Sequence, residues 1–284
     1  MKIQEKFKAI RKQRKLSLKT LGEVAGSATS ISDFENGKTH LSNDVLLQLL
    51  AFMIVEINEF FEWEEFQDGD FVHLMRELEA ATRTNDSASL IELQEEFQQL
   101  AIKKGQYIYQ IISLVLDIII AECNDLEINP QVISELTDYF FSLEYWTNLD
   151  VGLLGNTVRY FTTEALILFT NTILEHTPQL LRNNLDRIKI DTVLNCLAIL
   201  IERQEKDASH DLLTLLSRKQ YPPYFAFEKL YFNELQAIYD FNWRDKKQAM
   251  SVHHTILAAI SLLFSKNEAE EWDNYFQKHT ISNK

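Results

Sequence analysis

Residues that break helices are scarce in this chain. Only 7 Gly and 4 Pro occur in 284 residues, and neither type is found after Pro223. Glycine supplies the positive-φ turns of hairpins and phosphate-cradling loops, and proline punctuates helix ends, so their scarcity favours helices over turn-rich β architectures. With 46% hydrophobic residues the chain can bury a sizeable core, and its length suits two domains or one domain with a repeat array. The expected fold class is all-α.

Several function classes find no support. The basic start, MKIQEKFKAIRKQRK, lacks the apolar run and small-residue cleavage site of a secretory signal. The most apolar stretch, IISLVLDIIIA at 111–121, is too short to span a bilayer and is interrupted by Asp117. A cytoplasmic protein without a membrane segment is expected. Cys123 and Cys196 sit singly in apolar helical patterns, where cysteine acts as a small hydrophobe. The seven histidines are scattered, with no ligand spacing for a metal, and no nucleophile motif or phosphate loop occurs. Acid pairs such as Glu95 with Glu96 fall on polar helix faces. Neither enzyme activity nor a cofactor is expected.

Charge is divided along the chain. The net charge is -14, yet residues 1–19 hold eight Lys or Arg against the single acid Glu5. Residues 1–60 carry nine bases and seven acids, a net of +2, leaving -16 for the remainder. A cationic patch on an acidic chain suits a protein that turns one end toward phosphates; a solvated amphipathic helix is the alternative.

The first 65 residues read as a compact helical module. Ile3, Phe7 and Ile10 form the apolar stripe of a first helix. Ser17 is placed to cap a second helix, LKTLGEVA, which Gly26 breaks, and Ser27 to cap a third, ATSISDFEN, which Gly37 ends. A Leu-rich helix, VLLQLLAFMIVEINEFF, follows. Two short helices across a tight turn, then another helix, is the spacing of a helix-turn-helix bundle. The run FKAIRKQRKLSLKTLGEVAGSATSISDFENGKTHLSNDVLLQLL resembles the phage-repressor type of that domain. The resemblance implies a structural ion pair between Arg11 and Glu35, and a third helix whose exposed Ser27, Ala28, Thr29, Ser30 and Asp33 enter a major groove. Asp33 departs from the basic or amide residue frequent there, and Leu18 from a common phosphate-contacting Gln. Affinity for double-stranded promoter DNA would then come largely from Lys12, Arg14, Lys15, Lys19 and Lys38 on the backbone.

From 66 to 284 amphipathic helices alternate with short breaks at TNDS, CNDLEINP, HTP, KDASH, QYPP and FNWRD. Breaks of that length join antiparallel neighbours, so a right-handed solenoid of TPR-like helix hairpins is expected. Three helices carry an Asn among apolar residues: LLGNTVRYF around Asn156, VLNCLAIL around Asn195 and KLYFNELQAIY around Asn233. Their separations, 39 and 38 residues, fit a two-helix repeat. Each amide could serve an interhelical hydrogen bond, or the three could line one wall and pair with the backbone of an extended peptide. Arg159 lies at i+3 from Asn156, where it could take a peptide carboxylate, and Tyr160 and Tyr231 could add apolar contact.

The order of a repressor-type head and helical repeats, with LTDYFFSLEYW at 136–146, LLGNTVRYF at 153–161 and LNCLAIL at 194–200, is similar to the Rgg family of peptide-pheromone-responsive transcription regulators. The resemblance implies a homodimeric regulator that binds DNA and a short hydrophobic signalling peptide in the concave face of its repeat domain, the logic of quorum sensing. It assigns peptide contacts to Asn156 and Arg159; Asn195, Tyr231 and Asn233 rest on spacing and neighbourhood. Two other readings stay open: a helical-repeat scaffold for a protein partner, its head no longer binding DNA, and a regulator of the same build that senses a metabolite or pH.

Overall fold

The computed structural model describes residues 2–61 and 69–280. The chain divides into two compact units, residues 1–80 and 81–284. The boundary expected at 65/66 lies outside the described residues. Every named element among the described residues is helical, and a single isolated bridge, Leu180 with Gln220, is the one trace of β pairing.

In the first unit α1 (Ile3–Gln13), α2 (Leu18–Val24) and α3 (Ala28–Glu35) follow the sequence cues closely. The Ser17 hydroxyl accepts the Thr20 N–H and starts α2. Ser27 accepts from the Ser30 N–H and starts α3, and Gly26 and Gly37 adopt φ of +75° and +70° at the breaks. These caps pair backbone groups that the first turn of a helix cannot satisfy internally. The buried faces meet around Phe7, Leu21, Ile31, Phe34, Leu49 and Phe60. Phe7 packs edge-on against Phe34 and Phe60, with centroids 5.4 and 6.4 Å away. Helices α2 and α3 approach closely, since a Cβ on Gly22 would lie 2.5 Å from the Ala28 nitrogen.

The Leu-rich segment after α3 corrects the sequence reading. It is two helices, α4 (Asn43–Phe52) and α5 (Ile57–Phe60), separated by Ile54 at φ +56°. The Ile54 and Val55 N–H groups close the turn on the Ala51 and Leu50 carbonyls, and the Glu56 N–H donates to Glu59 to begin α5. At 1.5 Å per residue a continuous helix would carry Phe60 about 10 Å beyond Met53. The reversal instead brings Phe60 onto Phe7.

Helix α6 (Gly69–Thr84) runs through the division between the units. In the second unit α7 (Ser87–Lys104) and α8 (Tyr107–Cys123) form a hairpin turned at Gly105, φ +63°. Next come α9 (Pro130–Phe141), with Asn129 as cap and Pro130 in its first turn, then α10 (Asn148–Gly155) and α11 (Thr163–Glu175). The remaining helices are α12 (Asn184–Glu202), α13 (Lys206–Ser217), α14 (Ala226–Trp243), α15 (Lys246–Leu263) and α16 (Lys266–His279). Helix α12 packs on α10, α11, α13 and α14, and α14 in turn packs on α15, so the helices stack in succession. A Cβ on Gly155 would lie 2.8 Å from Thr192 Oγ1, which shows how close α10 and α12 run.

The segment 136–146 turns out to be an aromatic anchor of this unit. Phe140 stacks on Trp146 at 5.7 Å and meets Phe161 and Phe169 edge-on. One expected break is displaced. KDASH is the first turn of α13, and the chain reverses just before it at Gln204, φ +62°.

Candidate functional sites

On the head, Lys12, Arg14, Lys15, Lys19 and Lys38 are all exposed. They surround a rigid base. Arg11 grips Glu35 with two parallel hydrogen bonds, Nε to Oε1 at 2.5 Å and Nη2 to Oε2 at 2.8 Å, while its Nη1 donates to the Leu16 carbonyl. This bidentate pair ties α1 to α3 and is largely removed from solvent, which makes it strong and directional. Lys12, Arg14, Lys15 and Lys19 keep their charge free for an anionic surface, while Lys38 faces an acid of α3.

The candidate reading helix is more restricted than its sequence suggests. Ser27 and Ser30 cap each other reciprocally: the Ser30 N–H donates to Ser27 Oγ at 3.1 Å and the Ser27 N–H to Ser30 Oγ at 3.0 Å. Their hydroxyls are committed to the helix start, leaving Thr29 with the exposed hydroxyl and Ala28 with an exposed methyl. Asp33 is half-buried and faces Lys38, whose Nζ is 3.4 Å from its carboxylate. The lysine offsets the acid that departs from the repressor pattern.

In the second unit Asn156, Arg159, Asn195 and Tyr231 line one cavity of about 220 Å³. They reach it by different routes. Asn156 is the residue that ends α10, not a mid-helix residue, and its Nδ2 donates to the Gly152 carbonyl at 2.8 Å. Arg159 lies on the short 3-10 turn that follows, so the two share the cavity through a chain reversal and not through a common helix face. Asn195 enters from the middle of α12, its Nδ2 3.5 Å from the Gly155 carbonyl. Tyr231 enters from α14.

Two expected residues stand apart from that wall. Asn233 follows Tyr231 by two positions on α14, about 200° around the helix at 3.6 residues per turn, and does not line the cavity. Tyr160 acts behind the wall, donating its hydroxyl to Glu122 Oε1 at 2.6 Å. Burial and that carboxylate push the Tyr160 phenol up to about 12.

Other wall residues were invisible to sequence spacing: Glu122 from α8, Glu202 from α12 and Tyr275 from α16. Glu202 Oε1 lies 3.4 Å from Arg159 Nη1. Arg203 Nη2 donates to the Arg159 carbonyl at 2.8 Å, pinning the backbone of the 3-10 turn. Tyr275 and Tyr231 both line the cavity, and burial raises both phenols. One helical turn before Asn195, Asp191 is half-buried; its carboxyl is pushed up to about 6 by burial and by Glu228, with Arg187 opposing. The cavity therefore offers amides and a guanidinium beside aromatic and aliphatic walls. Such a set holds a backbone by hydrogen bonds and leaves room for apolar side chains. It provides no nucleophile paired with a base, and no metal-ligating cluster occurs among the described residues.

A helix-turn-helix head with exposed cations, followed by helix hairpins enclosing a polar and aromatic cavity, defines the class: a transcription regulator with a helical-repeat body. Residues 90–274 match the domain described as "HTH-type transcriptional regulator Rgg, C-terminal domain", and residues 7–60 match the helix-turn-helix domain. The chain belongs to the Rgg family of HTH-type transcriptional regulators. Its fold is similar to that of the SHP pheromone receptor Rgg2 of Streptococcus dysgalactiae, with TM-score 0.76, 21% identity, and coverage of 98% of this chain and 100% of that one. A structure described as a bacterial peptide pheromone/receptor complex matches with TM-score 0.71, 15% identity and 99% coverage of both chains. PrgX matches with TM-score 0.70, 16% identity, and 99% and 96% coverage. Among the described residues no helix is long and apolar enough to cross a membrane.

Proposed function

We propose that this regulator is a cytoplasmic homodimer that binds promoter DNA through its head and a short hydrophobic signalling peptide in the cavity of its repeat body. The observation that carries the peptide reading is the meeting of Asn156, Arg159, Asn195 and Tyr231, drawn from the end of α10, the 3-10 turn after it, α12 and α14, around one cavity. Two structures of the same fold are described as a pheromone receptor and as a peptide pheromone/receptor complex, which supports a peptide as the ligand class. On the head, Lys12, Arg14, Lys15, Lys19 and Lys38 contact phosphates, while Ala28, Thr29 and Asp33 meet base edges and Ser27 and Ser30 hold the helix start that presents them. A peptide changes transcription only by binding one arrangement of the two heads more tightly than another. The 1–65 and 66–284 division of labour follows from this reading.

The test uses the full-length protein. Fluorescein-labelled synthetic peptides, taken from short hydrophobic reading frames beside the gene, are titrated by fluorescence anisotropy, and the upstream DNA of the gene is titrated by gel shift. Saturable binding of one peptide, abolished in Asn156→Ala with Arg159→Ala, is expected. A regulator that binds its upstream DNA but none of the peptides would overturn the ligand assignment.

A further inference from the structure

A buried histidine far from the expected residues joins the last three helices. His253 on α15 is fully buried, with Nδ1 2.7 Å from Glu234 Oε1 on α14 and Nε2 3.0 Å from Asp273 Oδ1 on α16. Its ring stacks on Phe276 of α16 with centroids 3.9 Å apart. Carboxylates accept and do not donate, so a ring that satisfies both must donate from both nitrogens and carry a positive charge. Glu234 is as deeply buried as the ring, and its Oε2 has no hydrogen-bond partner, so its charge is compensated only through His253. Asp273 is the partly exposed end of the chain of three.

Helix α16 is the element this cluster fastens. It also brings Tyr275 to the cavity, two residues beyond Asp273, and packs Trp272 against Phe227 and Tyr231 of α14. We infer that His253 is a positioning residue for the ligand cavity: by linking Glu234 to Asp273 it seats α16, and the seated helix sets Tyr275 against Tyr231. The ligand part of this inference rests on the peptide reading above; the clasp itself does not.

The chemistry gives the clasp a signature that ordinary packing lacks. Burial alone would hold the imidazole below its usual range, but the hydrogen bonds it donates to Glu234 and Asp273 outweigh it and hold His253 above that range. Burial keeps the Glu234 carboxyl high, and His253 holds Asp273 low. Among the described residues His254 also faces the cluster, its ring centre 5.9 Å from that of His253. A histidine raised on folding stabilises fully below its unfolded value, about 6.5, and that contribution is lost as pH rises through the folded value.

Amide hydrogen exchange on the ligand-free, full-length protein tests this. Across a series from about pH 6 to 9, corrected for intrinsic exchange, protection of α16 is expected to fall roughly tenfold or more while α12 stays within about twofold. Asp273→Asn removes one anion from the imidazolium and should move that step to lower pH; His253→Gln should remove the step and leave α16 loosely protected throughout. No step in the wild-type protein, or equal loss of protection in α12 and α16, overturns the clasp. With a binding peptide in hand, Asp273→Asn should weaken its affinity about fivefold or more at pH 8 with a smaller loss at pH 6; an unchanged affinity would uncouple the clasp from the cavity. If the wild-type protein binds no peptide at all, the peptide reading fails while the exchange series still decides the clasp.

Discussion

Arg159 and Glu202 face each other across the mouth of the cavity, Nη1 to Oε1 3.4 Å apart, one from the 3-10 turn after α10 and the other from the end of α12. Both remain partly exposed, so the pair itself contributes little to stability. Its consequence lies in ligand binding, because a peptide carboxylate must displace or share Glu202. Replacing Arg159 with Ala should weaken an acidic peptide about tenfold, equal to about 1.4 kcal/mol, without altering DNA affinity. Glu202→Gln should strengthen the same peptide and leave a neutral analogue unchanged. Anisotropy titrations of the two peptides check this; equal responses would separate Arg159 from carboxylate recognition.

Lys12 and Arg14 are exposed on the head and close to the cation-rich end of α1. If both meet phosphates, replacing the two with Gln should lower affinity for all DNA sequences alike and reduce the slope of log K against log salt by about 2. Gel shifts at several salt concentrations measure it. An unaltered slope removes both residues from the backbone contacts.

Gly22 is required by packing and not by its dihedral angles. A methyl group there would meet the Ala28 nitrogen at 2.5 Å and the Ser27 carbonyl carbon at 3.0 Å, all of it backbone that cannot rotate away. Gly22→Ala should therefore push α2 from α3 and destabilise the head by about 1–3 kcal/mol. The shift would be read in urea unfolding followed by circular dichroism, with a loss of DNA binding in gel shifts. Unfolding and DNA affinity both at wild-type level would refute the close approach.

Asp191 is pushed up to about 6 by burial and Glu228, with Arg187 insufficient to offset them. A carboxyl raised on folding binds its proton more tightly in the folded chain, so its favourable effect exists at low pH and is lost as pH rises through about 6. Asp191→Asn should raise the thermal midpoint at pH 8 and do so less at pH 5. Scanning calorimetry at the two values decides it; a larger gain at the lower pH would contradict the sign.

The helix caps show what is legible locally. Those at Ser17, Ser27 and Gly37 lie where side chains a few residues apart must satisfy helix ends, and such interactions span one or two turns and leave a mark in spacing. The pair of Arg11 with Glu35 joins two helices across 24 residues, and only the resemblance to repressor-type heads implies it in advance. The Leu-rich run reads as one helix because nothing local forbids continuation through Ile54; the contact of Phe60 with Phe7, more than fifty residues away, decides the break.

The cavity divides the same way. The spacing of Asn156 and Asn195 is legible in the sequence and both reach the cavity, although one ends α10 and the other lies in the middle of α12. Asn233 kept the spacing but lies on another side of α14 from Tyr231, because a shift of two residues rotates a side chain by about 200°. Glu122, Glu202 and Tyr275 belong to helices brought together only by stacking, and His253 finds Glu234 and Asp273 at separations of 19 and 20 residues that match no helical period. Taken alone, the order of residues determined an all-helical chain with a cationic head and an acidic repeat body, because propensity, caps and charge act over a few neighbours. Which amides face one another, which tyrosines close the wall and which histidine is charged were decided by tertiary packing, since hydrogen bonding and desolvation depend on distance in space and not along the chain.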